Sequence, residues 1–192
     1  MIRKHRLLII AAVLALVQIG FLAVMIAGRA SILRNGHEVL LKVEPVDPRD
    51  LLRGDYVRLG YEISAIPAEM VAKAKRKERG ADTIFVRLKK EPDGFWRAVS
   101  ASLGTPSPTP PAEGEVEIRG TTTSSRSLQE NTVIRIEYGI ERFYLPEGEG
   151  KPIERDMRMR SFGILAAIGK DGTPQIKALM DGNEMLFQEP LY

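Results

Sequence analysis

The side chains that could do acid–base chemistry are few and scattered along the chain. Carboxylates form close pairs at Asp47 and Asp50 and at Glu147 and Glu149, and paired carboxylates are the groups that cleave glycosides. The two histidines lie on opposite sides of the apolar run 7–27, so they cannot act together. HExxH, GxSxG and phosphate-binding glycine motifs are missing. We therefore expect a non-enzymatic protein without cofactor or metal, and an unrecognised hydrolase is the alternative.

Tyrosine and arginine are instead concentrated in residues 48–63, PRDLLRGDYVRLGYEI. The first half of this stretch has the proline, aspartate and glycine of a tight turn, in which Gly54 supplies a positive φ, Asp55 a hydrogen bond and Arg53 a partner for a carboxylate. The second half alternates as a strand with one apolar face, formed by Val57, Leu59, Tyr61 and Ile63.

Two hypotheses explain the polar residues of this stretch. In the structural one, Asp55 caps the turn, Tyr61 packs inward, and Tyr56 and Arg58 cover the other face. In the functional one, Tyr56 and Arg58 belong to an exposed patch that docks a partner, because tyrosine and arginine are enriched in interfaces.

The order Gly54, Asp55, Tyr56, Leu59 and Tyr61 resembles the signature of the GDYXXLXY family of bacterial membrane-anchored proteins, with all five fixed letters at the right spacing. Relatives typically carry a second block, an aromatic–proline–glutamate–glycine segment that here is Arg142-Phe143-Tyr144-Leu145-Pro146-Glu147-Gly148. The family has no established biochemical activity. Its members tend to accompany uncharacterised multi-span membrane proteins, so the resemblance implies an accessory subunit of the envelope.

The two blocks supply the candidate interaction residues. They are Arg53, Gly54, Asp55, Tyr56, Arg58, Leu59, Tyr61, Arg142, Tyr144, Pro146, Glu147 and Gly148. The leading hypothesis is a membrane-anchored accessory or scaffold protein that binds another membrane protein through these residues. The alternative is a binding module for an envelope ligand such as a glycan. A docking surface requires the two blocks to be adjacent and to share an exposed face, whereas burial of both would make them fold determinants.

The run from Leu7 to Ala27 contains 21 residues without a charge. At about 1.5 Å per residue it is long enough for the roughly 30 Å hydrocarbon core of a bilayer. Basic residues precede it, so the positive-inside rule predicts a single span of the inner membrane with a cytoplasmic N-terminus and an extracytoplasmic domain. A cleaved signal peptide is the competing interpretation, although its apolar region would be only about 7–15 residues long.

The charge of the chain argues against nucleic-acid binding. Arg3, Lys4 and Arg6 account for the whole net charge of +3, so the sequence after them is formally neutral. A nucleic-acid binder would need a basic stripe. The absence of cysteine excludes disulfides and thiolate zinc sites, so an extracytoplasmic domain has to be held by core packing alone.

Alternating apolar patterns predict eight or nine short strands and few helices after the anchor. Turn residues at 91–94 and at 169–172 predict two β-hairpins. Residues 105–114 hold four prolines and predict an exposed extended loop. We therefore expect residues 1–30 to form the cytoplasmic tip and anchor, and residues 31–192 to form a mainly β domain with an antiparallel sheet or a barrel-like sandwich.

Overall fold

The structure is a computed structural model. It describes residues 2–44, 56–72, 82–122, 132–144 and 160–190, and the side chains of residues 2–5 and 56–57 are not among the described atoms. It consists of one long helix, α1 (Ile2–Asn35), followed by β-strands. The described strands are β1 (His37–Glu44), β2 (Tyr56–Arg58), β3 (Gly60–Tyr61), β4 (Ala65–Pro67), β5 (Val71–Ala72), β6 (Asp82–Lys90), β7 (Trp96–Leu103), β8 (Glu115–Thr122), β9 (Val133–Arg135), β10 (Arg142–Tyr144), β11 (Phe162–Ile168), β12 (Pro174–Asp181) and β13 (Glu184–Gln188).

Two larger sheets carry the fold. One has the order β13-β12-β11-β1-β3 and the other the order β5-β7-β6-β8, while β2 pairs with β10 and β4 with β9. Apart from the short parallel pair β5–β7, the paired strands are antiparallel. The described strands do not close into a barrel. The prediction of a mainly β, antiparallel fold after an apolar helix is confirmed.

A single core joins the two larger sheets. Leu41 of β1, Ile164 of β11 and Ile84 of β6 are fully buried in it. The rings of His37 and Trp96 meet edge to face, with their centroids 5.4 Å apart, and so connect β1 to β7. Because the alternate residues of each strand point to one face, the two inner faces bury their apolar side chains against each other.

The helix α1 is longer than the apolar run that predicted it, because it continues to Asn35 and includes Arg29 and Arg34. Residues Arg6–Asn35 are long and apolar enough to cross a membrane, with a mean hydropathy of 2.8 in their most apolar window. The large apolar side chains from Leu7 to Ile26 are exposed, whereas Ala30 and Leu33 are buried. The last two turns of the helix therefore belong to the packed domain.

The change from helix to sheet occurs at one residue. The Gly36 amide donates to the Ile32 carbonyl at 2.8 Å, and β1 begins at the next residue. A Cβ at this position would lie 2.5 Å from the oxygen of Ile32 and 3.0 Å from that of Ile168 in β11. Glycine is required because the helix end and the central strand approach too closely for a side chain.

Both predicted hairpins are confirmed. The turn between β6 and β7 has Gly94 at φ 87°, and the turn between β11 and β12 has Gly172 at φ 82°. The proline-rich loop 105–114 forms neither helix nor strand, as predicted. It is nevertheless attached to the domain, because the Arg87 guanidinium donates to the Thr109 carbonyl at 2.5 Å.

Candidate functional site

The two motif blocks, widely separated in sequence, are adjacent in the fold. Strands β2 and β10 pair antiparallel, with Arg58 opposite Arg142 and Tyr56 opposite Tyr144. The ladder continues past the strand end, where the Leu59 amide donates to the Glu141 carbonyl at 2.9 Å. The first requirement for a shared docking surface, that the two blocks are adjacent, is therefore met.

The contact between the blocks extends beyond β2 and β10. The Ile136 amide donates to the Ser64 carbonyl at 2.9 Å, and beyond this bond β4 pairs antiparallel with β9. Residues 56–67 thus run alongside residues 133–144 as one irregular antiparallel unit. We call this unit the motif ribbon.

The prediction of one continuous strand over residues 55–63 is wrong. Within it, β2 pairs with β10, whereas β3 pairs with β1 of the five-stranded sheet, and residues Glu62–Ser64 form a short 3-10 turn. The predicted inward residues Leu59, Tyr61 and Ile63 are nonetheless buried. This segment changes its pairing partner from β10 to β1, so its strand geometry is interrupted while its apolar side chains stay buried.

Two buried tyrosines hold the motif ribbon together. The Tyr61 hydroxyl donates to the Ile140 carbonyl at 2.5 Å, and the Tyr138 hydroxyl donates to the Ile63 carbonyl at 2.8 Å. Burial raises the pKa of both phenols above their usual value, and the nearby Glu141 carboxylate raises each pKa further. Both hydroxyls therefore remain protonated donors, which supports a structural role for the second tyrosine of the signature.

Glu141 fixes the turn between these contacts. Its carboxylate accepts the amide of Tyr138 at 2.5 Å and the amide of Gly139 at 2.9 Å. Gly139 has a φ of 81°, a conformation that glycine adopts without strain. The turn orients β10 so that it returns alongside β2.

The outer side of the ribbon is exposed. Arg58 and Arg142 lie opposite each other, so both point to the same face of the ladder. Tyr144, two residues further along β10, is 65% exposed, whereas Phe143 between them is 2% exposed. The structure therefore divides the predicted residues: Leu59 and Tyr61 are fold determinants, and Arg58, Arg142 and Tyr144 form an exposed face.

This exposed face borders a cleft of about 490 Å³. The cleft lies between the motif ribbon, the end of α1 and β12. Its charged and polar lining consists of Arg29, Arg58, Glu137, Glu141, Arg142, Tyr144, Gln175 and Glu189. Arg29 comes from the anchor helix, so the cleft lies where α1 joins the domain.

The family model of the GDYXXLXY protein matches residues 18–179, which is most of the chain and includes both motif blocks. The chain belongs to the GDYXXLXY family. No curated protein and no solved structure matches it.

Part of the two motif blocks of this GDYXXLXY protein lies outside the described residues. Arg53, Gly54 and Asp55 belong to that part, as do Pro146, Glu147 and Gly148 of the second block. For Tyr56 the structure gives the backbone only. The carboxylate pairs at 47/50 and 147/149 also fall outside it. Among the described residues, no three histidine, aspartate or glutamate side chains come together where they could hold a metal ion.

Sequence reasoning missed Arg29, Tyr138 and Glu141 of this GDYXXLXY protein. Arg29 falls in the predicted anchor segment 1–30, just after the apolar run that ends at Ala27, and nothing in that run indicates a site. Tyr138 and Glu141 flank Gly139, and a glycine between an aromatic and a glutamate is the signal that could have indicated a buried turn.

A second cavity, of about 860 Å³, lies between the end of α1, the proline-rich loop and the 169–172 turn. Ile32, His37, Phe85, Pro106 and Lys170 are among its lining residues. None of the predicted site residues that the structure describes lines this cavity.

Proposed function

We propose that this GDYXXLXY protein is a non-enzymatic accessory protein of the bacterial envelope that binds another membrane protein through the exposed face of β2 and β10. One observation carries the proposal: the two motif blocks pair directly and present Arg58, Arg142 and Tyr144 on one exposed side. Tyrosine and arginine are the residue types that contribute most to protein–protein binding. A fold determinant alone would not require these side chains to be exposed.

The position of this face supports a partner that is itself in the membrane. Arg29 of α1 borders the same cleft as Arg58 and Tyr144, and it follows the apolar run by two residues. The face is therefore held near the membrane surface. A multi-span membrane protein with a short extracytoplasmic loop can reach it without a long extension.

We propose that the N-terminus is cytoplasmic and the β domain extracytoplasmic. The basic cluster before the apolar run supports this orientation by the positive-inside rule. Cysteine labelling of residues placed at the two ends of α1, in intact cells, tests it, because the natural chain has no cysteine of its own.

The glycan alternative has less support from the described residues. Trp96, the lone tryptophan, is buried against His37 and so has no free ring face for a sugar. Tyr144 is the exposed aromatic ring of the cleft. We therefore assign it to partner contact.

The experiment is site-specific photo-cross-linking of the full chain in its own membrane. A benzoylphenylalanine probe is placed at Tyr144, and the control probe at Val99, which is 41% exposed on β7 and lies outside the motif ribbon. We expect position 144 to yield one discrete adduct with an integral membrane protein, and position 99 to yield none. The adduct should weaken when Arg58→Glu is added. Equal labelling from both positions, or an adduct indifferent to Arg58→Glu, would show that this face is not the docking surface.

A further inference from the structure

The next inference rests on the proposed function: with α1 spanning the bilayer, the cleft beside the motif ribbon would lie near the lipid headgroups. Arg29 follows Ala27, the last residue of the apolar run, by two residues, or about 3 Å along the helix axis. The headgroup layer on each side of a bilayer is about 5 to 8 Å deep. A guanidinium at this position is therefore within reach of the phosphates of the leaflet beneath the domain.

Two further arginines, from strands far from α1 in sequence, line the same cleft as Arg29. Arg58 and Arg142 are direct cross-strand partners, so Arg58 carries its charge beside that of a second arginine. In the described part of the chain, no ion pair joins Arg29 or Arg58 to a carboxylate. A phosphodiester in the cleft would accept hydrogen bonds from these two guanidinium groups, and arginine is well suited to phosphate recognition.

The same cleft also carries negative charge. Glu137, Glu141 and Glu189 line it beside the three arginines, so its lining is formally neutral. The Glu141 carboxylate is already engaged by two backbone amides. Glu137 and Glu189 therefore remain to face a cation. A ligand that complements this lining carries one phosphate and one ammonium group.

We infer that the cleft binds the headgroup of a phospholipid with a primary ammonium group, such as phosphatidylethanolamine, from the leaflet on the domain side. Arg29 and Arg58 contact the phosphate, and Glu137 and Glu189 accept hydrogen bonds from the ammonium group. Phosphatidylglycerol lacks the cation, and the quaternary ammonium of phosphatidylcholine has no N–H to donate. Bound lipid holds the β domain against the membrane surface.

The test is native mass spectrometry of the delipidated full chain in detergent, with each of the three lipids added separately. We expect phosphatidylethanolamine to be retained more than the other two, and excess inorganic phosphate not to displace it. Arg29→Gln and Arg58→Gln should each lower its retention roughly tenfold, the loss expected for a charged hydrogen bond. The matched control is Arg135→Gln, an exposed arginine of β9 outside the cleft, which should retain the lipid like the natural chain.

A second variant tests the carboxylate side. Glu189→Gln should keep phosphate binding but lose the preference for phosphatidylethanolamine over phosphatidylglycerol. Trp96 fluorescence of each variant verifies the fold, and Arg29→Gln, on the helix, keeps the test open if Arg58→Gln does not fold. Equal retention of all three lipids, or retention unaffected by both arginine variants, overturns the inference.

The lipid proposal and the partner proposal can be tested independently of each other. Lipid retention is measured on purified protein, so it does not require the proposed partner. If Arg58→Gln abolished the cross-link from position 144 but left lipid retention unchanged, the cleft would serve the protein partner and the lipid inference would be wrong. Loss of lipid retention with an unchanged cross-link would support the lipid site alone.

Discussion

Tyr61 and Tyr138 each donate a buried hydrogen bond to the segment that carries the other. The Tyr61 hydroxyl reaches Ile140, two residues after Tyr138, and the Tyr138 hydroxyl reaches Ile63, two residues after Tyr61. These two hydrogen bonds hold the two segments of the motif ribbon together where the strand pairing is interrupted. They give the last tyrosine of the signature a physical role that needs no ligand.

Removing either hydroxyl should destabilise the fold. Tyr61→Phe and Tyr138→Phe each leave a buried carbonyl without its donor, so the free energy of unfolding should fall by about 1–3 kcal/mol in each variant. Urea unfolding of the full chain in detergent, followed by the fluorescence of the buried Trp96, measures this change. Tyr144→Phe, on an exposed ring, should change stability by less than about 0.5 kcal/mol. The double variant should deviate from additivity, since both bonds join the same two segments, and strict additivity would show that they act independently.

The two tyrosines should also make stability depend on pH in the alkaline range. Their folded-state pKa values lie above the ordinary value of 10, so above that pH the folded chain holds protons that the unfolded chain has lost. The stabilisation is complete below about pH 10 and decreases above it, by up to about 1.4 kcal/mol per pH unit for each tyrosine. Urea unfolding at about pH 8 and about pH 11 should show a smaller loss in the double phenylalanine variant than in the natural chain. Equal losses would contradict the role of these phenols.

The junction between helix and sheet should not tolerate a side chain. Gly36→Ala places a methyl group against the backbone oxygens of Ile32 and Ile168, and backbone atoms cannot move aside cheaply. We expect a loss of about 1–3 kcal/mol in unfolding free energy. The matched control is Gly28→Ala, within α1, where a Cβ would have no neighbour within 4 Å; this substitution should be neutral or slightly stabilising. A Gly36→Ala chain as stable as Gly28→Ala would mean that the junction relaxes.

The proline-rich loop should become accessible when Arg87 is changed. The Arg87 side chain is only 10% exposed and donates to the Thr109 carbonyl, with Glu117 also nearby at 3.4 Å. Arg87→Gln removes this attachment, so a glutamate-specific protease should cut after Glu113 roughly tenfold faster. Mass spectrometry of the fragments measures the rate. Arg119→Gln serves as the control because Arg119 contacts Thr173 instead, and faster cleavage in both variants would mean that general unfolding exposes the loop.

Local sequence patterns were sufficient to predict the hairpins and the mainly β fold. The hairpins were predictable because Gly94 and Gly172 follow aspartates in short turns between alternating runs, which is a purely local signal. The strand count was not predictable. The alternation of residues 55–63 is real, but the chain there changes its pairing from β10 to β1 and so divides into two strands.

The sequence predicted some residues of the candidate site, but it did not predict Arg29, Tyr138 and Glu141 or the arrangement of the site. Leu59 and Tyr61 were placed inward and Arg58 outward by alternation alone, and the structure confirms all three. The presence of Arg29 in the same cleft as Arg58 depends on how the helix end packs against β11 and β12. Contacts between elements so far apart in sequence leave no periodic signal.

The single residue between α1 and β1 has a mechanical consequence. Asn35 ends the helix and His37 starts the strand, and Leu33 is packed into the domain, so α1 is joined to the sheet without an intervening loop. If α1 spans the bilayer as proposed above, a tilt of α1 would tilt the β domain with it. Under the same proposal, a membrane protein that binds α1 would also change the direction in which the exposed face of β2 and β10 points.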